Sequence, residues 1–378
     1  MITLLIPTIN RSYFVIRLLT YYRELGFRGS ICIGDSSDPE HAGRTKGVIR
    51  QLKGALDIVY QEYPGLSYAE CIRNLIDMAP GKYAVVSPDH DFLVPGGLQR
   101  CVSFLEAQPK YAAAHGTAAF VSLYSQGACG EVRKIAPYRQ PTLEVENAGD
   151  RLLDHFRSYT FPLFSVCRTD DLREIYQRVS TSPDRYFALE LLPCSLAIVR
   201  GKVKELNCLY LARQTLDATY LSPTTYDWFI SPNWFPSYLG FRDHLAEELV
   251  LQDGISLDDA REVVKRAFWS YLARVLPRGG AERHAPKVFW LRSLARLAAR
   301  RMPVLEWAWR KVHPFLPGEN SKLSFPTVLH PKSVYYADFM PIYRAIATRS
   351  NLLDGCPTPG APFGAPKALS DRTRNNNG

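Results

Sequence analysis

Over roughly the first 110 residues, short apolar runs alternate with longer segments in which apolar residues recur at helical spacing. The short runs cover residues 2–7, 30–35, 57–61 and 82–87, and their length and apolar centres predict strands. Parallel strands need long crossover connections, and the helical segments between these runs supply them. The alternation therefore predicts an α/β fold with a mostly parallel sheet that helices cover on both faces.

Polar residues in this region predict where some of the helices begin. Ser67 precedes Glu70 by three residues, which predicts a capping box at the start of a helix. Asn10 is a plausible cap for a helix over residues 13–25. A further helix is expected at about residues 45–52.

Acidic side chains follow two of the predicted strands, at the edge where parallel α/β sheets bind ligands. Asp35 ends the second strand, and Asp89 and Asp91 follow the fourth. Carboxylates at positions i and i+2 of an extended segment point to the same side and offer oxygen ligands for Mg²⁺ or Mn²⁺. Such an ion would neutralise charge on a diphosphate leaving group. The alternatives are a solvated acidic turn for the pair and a turn or helix cap for Asp35.

Four segments of this region carry a family resemblance through their order and spacing. They are ITLLIPTINR, SICIGDSS, AECIRNLIDMAPGKYAVVSPDHD and FLVPGGL. The set resembles the family 2 glycosyltransferases and their relatives, which share the GT-A fold. The match covers roughly residues 1–110, with a looser continuation to about residue 215. The resemblance implies a domain that binds a nucleotide-sugar donor together with a divalent metal, Mg²⁺ or Mn²⁺.

The resemblance also implies roles for particular residues around the donor. It places Pro7, Thr8 and Asn10 beside the nucleotide base, Asp35 at the base or ribose, Arg73 near the diphosphate or sugar, and Asp89 and Asp91 at the ribose and metal, with Asp91 as the stronger candidate metal ligand. Arg73 has an alternative reading as a surface helix residue that pairs with Glu70.

An inverting transferase needs a carboxylate that removes a proton from the acceptor hydroxyl. Relatives often carry an acidic doublet at the start of a helix late in the domain, and here only Glu190 stands at that place, in a helix predicted over 186–199. Apolar neighbours would raise its pKa, as a base requires. The alternative is a structural ion pair, for example with Arg185, and Asp184 and Asp217 are other candidate bases.

Two features of the region after residue 205 leave alternatives open. Arg213 follows an expected strand and is either a group that closes on the donor diphosphate or a surface arginine. The aromatic residues Trp228, Trp234 and Phe235 form either a platform for acceptor sugars or packing between two domains.

The basic charge of the chain is concentrated in one segment. The net charge is +9, and the segment from Arg283 to His313 holds eight basic residues and one acidic residue. A helix predicted over 286–313 carries arginines on one face and Trp and Leu on the other, which suits an anionic membrane surface and a lipid-linked acceptor. The alternative is a packed helix with solvated charges. No nucleic-acid module is recognisable, so a nucleic-acid partner is not expected.

Three regions are expected: a GT-A-like domain over 1–215, a mainly helical region over 216–354 and a disordered tail over 355–378. No apolar run has the length of a transmembrane helix. None of the eight cysteines lies in a C-x-x-C pair, which favours reduced thiols. These features predict a cytoplasmic protein, with peripheral association at the inner face of the membrane as a further expectation.

The predicted activity is metal-dependent transfer of a sugar from a nucleotide-diphosphate donor to a glycan, lipid-linked or protein hydroxyl, with inversion at the anomeric carbon. One alternative is a nucleotidyltransferase, although PTINRSY lacks the glycine-rich loop that such enzymes carry after the first strand. The other alternative is a non-catalytic adaptor that keeps the fold and docks on a membrane or a partner through the basic helix.

Overall fold

A computed structural model describes residues 1–160, 162–179, 182–216, 225–283 and 323–347. Its strands are β1 (Ile2–Thr8), β2 (Ser30–Asp35), β3 (Asp57–Glu62), β4 (Tyr83–Val86), β5 (Phe92–Leu93), β6 (Tyr111–Leu123), β7 (Val132–Tyr138), β8 (Val166–Arg168) and β9 (Lys202–Thr215). Its α-helices are α1 (Ser12–Glu24), α2 (Pro39–Gln51), α3 (Tyr68–Met78), α4 (Pro95–Ala107), α5 (Ala148–Arg157), α6 (Thr169–Val179), α7 (Leu192–Arg200), α8 (Thr225–Phe229), α9 (Trp234–Asp253), α10 (Leu257–Arg283), α11 (Phe325–Val328) and α12 (Tyr336–Ala347).

These strands form one sheet in the order β3-β2-β1-β4-β8-β6-β9-β5, with β7 paired to β6. The pairs among β1, β2, β3 and β4 are all parallel. β8 runs antiparallel to β4 and β6, β9 runs parallel to β6, and β5 runs antiparallel to β9. The first half of the sheet therefore confirms the predicted parallel arrangement, and the second half is mixed.

The register of the parallel strands brings their carboxyl ends to one edge. Thr8, the last residue of β1, lies opposite Asp35, the last residue of β2. Every residue of β1 and β2 is buried, as expected for parallel strands that are covered on both faces. Leu5 pairs with Val86 at the end of β4, and the Ser87 N–H donates to the Leu5 carbonyl at 2.8 Å. The chain after β4 therefore leaves the sheet next to Thr8.

The capping-box prediction is confirmed, and the expectation for Asn10 is wrong. At α3, the Ser67 hydroxyl accepts from the Glu70 N–H while the Glu70 carboxylate accepts from the Ser67 N–H. Asn10 caps no helix, because the residue before α1 is Arg11 and Asn10 adopts a left-handed φ of 53°. Its Oδ1 instead accepts from the Asp38 N–H at 2.9 Å and ties the loop after β1 to the start of α2.

Helix α2 begins at Pro39, six residues before the expected start at about residue 45. Asp38 caps it by accepting from the His41 N–H, and proline is well suited to the first helical position. Gly43 and Gly47 interrupt the apolar pattern in the sequence, which explains why the first turns were not predicted.

The helix predicted over 186–199 begins as a π-helical turn over Phe187–Leu191 and continues as α7. The Leu192 N–H donates to the Phe187 carbonyl, five residues earlier. Pro193 follows directly and has no N–H, and its ring would collide with the carbonyl four residues before it in a regular α-helix. The wider π turn accommodates the proline and sets the direction of the Glu190 side chain.

The long helices α9 and α10 pack on other helices, and α12 packs against α1 and β9. α10 packs against α5 and α9, and α9 packs against α7. Phe268 of α10 contacts the rings of Phe156, Phe187 and Phe241, so the hydrophobic core runs from the sheet into these helices without a break. A domain boundary at residue 215 stays a prediction.

Two sequence predictions lie outside the described residues: the basic helix over 286–313 and the tail over 355–378. Among the helices that the structure describes, none combines the length and the apolar character needed to cross a membrane.

Candidate active site

A cavity of about 500 Å³ opens at the carboxyl ends of the parallel strands, a volume that suits a small-molecule ligand. Residues of the first half of the chain that line it are Pro7, Thr8, Ile9, Arg11, Ser36, Leu66, Tyr68, Cys71, Pro88, Asp89 and His90. Residues of the second half that line it are Phe120, Leu163, Phe164, Leu189, Glu190, Arg213, Gln214, Thr215 and Leu216. The cavity is thus largely apolar, with a few charged groups that converge on it.

Asp89 is buried in the cavity wall and held by three donors. Its Oδ2 accepts from the Thr8 hydroxyl at 2.8 Å, and its Oδ1 lies 3.0 Å from His90 Nδ1 and 3.4 Å from Arg11 Nη1. Burial alone would raise the pKa of Asp89, but the hydrogen bond with His90 and the charge of Arg11 bring it below its ordinary value. Asp89 is therefore a carboxylate at neutral pH.

Asp91 lies behind the cavity wall with none of its side chain exposed. Its Oδ1 accepts from the Gln214 backbone N–H at 3.0 Å, and its Oδ2 accepts from Arg213 Nε at 3.1 Å. His90 Nε2 lies 3.6 Å from Oδ1. The two aspartates that the sequence pairs therefore bond to different arginines, and the His90 ring lies between their carboxylates.

Arg213 occupies the cavity wall between Asp91 and a set of aromatic rings. Its guanidinium carbon lies 4.7 Å from the ring centre of Phe164 and 5.1 Å from that of Tyr138. Burial would lower its pKa, but the charges of Asp91 and Tyr138 and the hydrogen bonds to both side chains together outweigh burial and raise the pKa of Arg213. Arg213 therefore keeps its positive charge in a partly desolvated place, where electrostatic interactions are stronger than in water.

The predicted metal site does not fit these side chains. Both oxygens of Asp91 accept hydrogen bonds, and both oxygens of Asp89 lie against donors or cations. A shared cation would have to displace an arginine from a buried ion pair. Within the described residues, no group of three His, Cys, Asp or Glu side chains could hold a metal ion.

Asp35 is buried, and its contacts match the turn-cap alternative. Its Oδ1 accepts from the Ser37 N–H at 2.9 Å, and its Oδ2 accepts from the Tyr60 hydroxyl at 2.9 Å. Burial, and then the charge of Asp35, raise the pKa of Tyr60. Ser36 lines the cavity in place of Asp35.

Glu190 lines the cavity and bonds to two tyrosines. Its Oε1 accepts from the Tyr159 hydroxyl at 2.7 Å and from the Tyr186 hydroxyl at 3.1 Å. Burial raises its pKa above the ordinary glutamate value, although the two tyrosines and the charge of Arg213 oppose the shift. These contacts differ from the ion pair with Arg185 that was the alternative reading.

The other acidic candidates and the aromatic loop have structural roles in the described residues. Asp184 Oδ1 accepts from the N–H groups of Tyr186 and Phe187 and from Trp228 Nε1, so it fixes the π-helical turn. Trp228 and Trp234 are buried against Phe187, which favours the packing alternative for these two residues, whereas Phe235 is exposed. Asp217 lies outside the described residues.

The predicted donor residues divide into those on the cavity and those behind or beside it. Those on the cavity are Pro7, Thr8, Asp89 and, as the candidate base, Glu190; the others are Asn10, Asp35, Arg73 and Asp91. The charge of Arg73 helps to lower the pKa of Glu70, after the larger effect of hydrogen bonds from Ser67, as the alternative reading expects. Arg11, Tyr159 and Tyr186 were not predicted, and for the tyrosines the sequence carries no signal.

The sheet order, the helices on both faces and the cavity at the strand ends define a GT-A fold, as the sequence predicts. The structure is similar to that of S. aureus TarS 1–349, with a TM-score of 0.50 and 11% sequence identity over 74% of this chain and 73% of that chain. It is also similar to S. aureus TarS 1–349 in complex with UDP-GlcNAc, with a TM-score of 0.51 and 13% identity over 75% of this chain and 76% of that chain. No protein-family model and no curated protein matches the sequence. At these identities the likeness establishes the fold.

Proposed function

We propose that the protein is a glycosyltransferase that moves a sugar from a nucleotide-diphosphate donor to a hydroxyl of a glycan, lipid-linked or protein acceptor, with inversion. The observation that carries the proposal is one cavity at the strand ends lined by Asp89, Arg213 and Glu190. It combines a cation for a diphosphate with a carboxylate of raised pKa. Inverting transfer needs a base for the acceptor hydroxyl and positive charge beside the leaving diphosphate, and these two groups can supply them.

The donor end of the proposed site lies at the ends of β1 and β2. Pro7, Thr8 and Ser36 line the cavity there, while Asp35 and Asn10 hold the loops behind it. In this proposal the nucleobase and the ribose of the donor rest on this edge, and Arg11 and Arg213 face the diphosphate. The sugar carbon that is attacked then lies between the diphosphate and Glu190.

Glu190 is the proposed general base. As a carboxylate it takes the proton of the acceptor hydroxyl while the oxygen attacks the anomeric carbon and the bond to the diphosphate breaks. Burial moves the pKa of Glu190 toward neutral pH, which makes its carboxylate a stronger proton acceptor. The negative charge that develops on the leaving diphosphate is stabilised by the fixed positive charge of Arg213.

The first donor to test is UDP-GlcNAc, because the fold is shared with TarS, which has been crystallised with it. We expect UDP or UDP-GlcNAc to raise the melting temperature of the full-length protein, since a ligand that binds only the folded state stabilises it. GDP-, ADP- and CMP-linked sugars serve as comparison ligands. A failure of every nucleotide to stabilise the protein would favour the adaptor alternative.

Association with an anionic membrane is a separate proposal that rests on the sequence between residues 286 and 313. We expect the protein to co-sediment with liposomes that contain phosphatidylglycerol, because the arginines that the sequence pattern places on one face of the predicted helix attract anionic headgroups. Exchange of Arg292, Arg296 and Arg300 for glutamate should abolish the binding. Equal sedimentation of both proteins would contradict the proposal.

A further inference from the structure

We infer that Arg213, positioned by Asp91, supplies the positive charge that the donor diphosphate requires, so that donor binding does not depend on a divalent metal. The inference rests on the proposed function and specifies how the site would hold its substrate. It assigns to Asp91 the role of a positioning residue, in place of the metal-ligand role that the sequence predicts.

Both carboxylate oxygens of Asp91 accept hydrogen bonds from donors of the protein itself. Oδ2 meets Arg213 Nε at 3.1 Å, and Oδ1 meets the Gln214 N–H at 3.0 Å. Both donors belong to the end of β9, whose pairing with β5 aligns Phe92, the residue after Asp91, with Ala212. The pairing of β5 with β9 therefore brings Asp91 next to Arg213 and Gln214, and the contact does not depend on a flexible side chain alone.

Arg213 is organised before any ligand binds. Asp91 holds its Nε, and the rings of Phe164 and Tyr138 lie against the guanidinium. A guanidinium has five N–H donors in a fixed fork that matches phosphate oxygens. Because Arg213 also lines the cavity, the guanidinium donors that Asp91 and the Tyr138 hydroxyl do not engage can meet a ligand there.

A second cation, the guanidinium of Arg11, lies on the same cavity. Arg11 lines it from the loop after β1, and its Nη1 lies 3.4 Å from Asp89, whose pKa is lowered in part by this charge. The Arg11 side chain is 30% exposed, so it can turn toward a ligand at little cost in packing. Two arginines can together balance much of the charge of a diphosphate, the task that a divalent cation would otherwise perform.

The test measures the affinity of the full-length protein for UDP by calorimetry, once with excess EDTA and once with saturating Mn²⁺. We expect equal affinities under both conditions. We expect Arg213→Ala to weaken UDP binding by roughly 10- to 100-fold, the loss of one or two hydrogen bonds to a charged group. Uridine, which has no diphosphate, should bind the unchanged protein and Arg213→Ala with equal affinity. Arg133→Ala, on the exposed side of β7, is the matched control and should bind UDP normally.

Two further variants keep the test decisive if Arg213→Ala is poorly folded. Arg11→Met removes the more exposed cation and should also weaken UDP binding in the presence of EDTA. Asp91→Asn should change UDP affinity to the same extent with EDTA and with Mn²⁺. UDP binding that requires Mn²⁺ in the unchanged protein would overturn the inference while leaving the proposed function in place, and loss of the Mn²⁺ effect in Asp91→Asn would then make Asp91 a metal ligand. An absence of binding by UDP and by every comparison nucleotide, under both conditions, would remove the proposed function and the inference together.

Discussion

Replacement of Glu190 by glutamine should lower the rate constant for sugar transfer by roughly 10²–10⁴-fold, the usual contribution of a general base. Glutamine fills the same space and can still accept from Tyr159 and Tyr186 through its carbonyl oxygen, but it cannot take a proton. UDP affinity should therefore stay near that of the unchanged protein. The measurement is a single-turnover rate beside a calorimetric Kd for UDP.

A matched control for this substitution is Glu205→Gln. Burial raises the pKa of Glu205 as it does that of Glu190, but Glu205 does not line the cavity. Its exchange should leave the transfer rate unchanged. If Glu190→Gln transferred sugar at the normal rate, the base would have to be another group.

The pH dependence of transfer gives an independent check on the same residue. A base acts when deprotonated, so the rate should fall as the pH is lowered through the pKa of Glu190, which lies above the ordinary glutamate value. The Tyr159 hydroxyl stabilises the carboxylate, so Tyr159→Phe should raise this pKa further and move the acidic limb of the profile to higher pH. If the acidic limb does not move in Tyr159→Phe, the pH dependence of transfer does not report the ionisation of Glu190.

The first half of the fold could be predicted because its signals are local. Each parallel strand is a short run with an apolar centre, and the following helix has its own cap or stop. Strand ends of a parallel sheet share one edge, so the positions of Asp35 and Asp89 near the cavity follow from the order of elements. Ser67 and Glu70 could be read as a capping box because both partners lie within one turn.

Glu190 and Arg213 were candidates from the sequence, but their contacts could not be predicted, because these contacts join residues that are far apart in the sequence. The Arg213–Asp91 pair spans 122 residues and depends on the pairing of β5, a strand of two residues, with β9. The Tyr159–Glu190 bond depends in turn on a π-helical turn that periodicity does not indicate. The sequence analysis does not predict α5, although Asn147 and Asp150 form a visible cap and Leu152 and Phe156 follow it at helical spacing.

Arg17 shows how the candidate site is tied to the core. It is 1% exposed within α1, and its guanidinium lies 4.6 Å from the ring centre of Phe92. Its Nη1 donates to the Ala128 carbonyl and, at 2.6 Å, to Gln214 Oε1, while its Nη2 donates to the His90 carbonyl at 2.9 Å. One side chain thus joins the loop between Asp89 and Asp91, the end of β9 and the turn after β6.

Exchange of Arg17 for methionine should lower the free energy of unfolding by about 3–5 kcal/mol, because three acceptors in or near the core would lose a charged donor. Methionine keeps most of the apolar volume, so the change isolates the hydrogen bonds from the packing. Arg23→Met is the control, since Arg23 lies on the exposed face of the same helix and its loss should leave the free energy unchanged. Urea denaturation measures both values.

The same substitution should also weaken UDP binding under conditions where the variant is still folded. Arg17 anchors Gln214, whose N–H donates to Asp91, and His90, whose ring contacts Asp89. Loss of the Arg17 guanidinium would therefore loosen the segment that positions Arg213. A purely structural arginine would change stability and leave the Kd for UDP as it was. If Arg17→Met loses both stability and affinity for UDP, Arg17 is a positioning residue of the site. Equal stability of Arg17→Met and Arg23→Met would contradict both parts of the prediction.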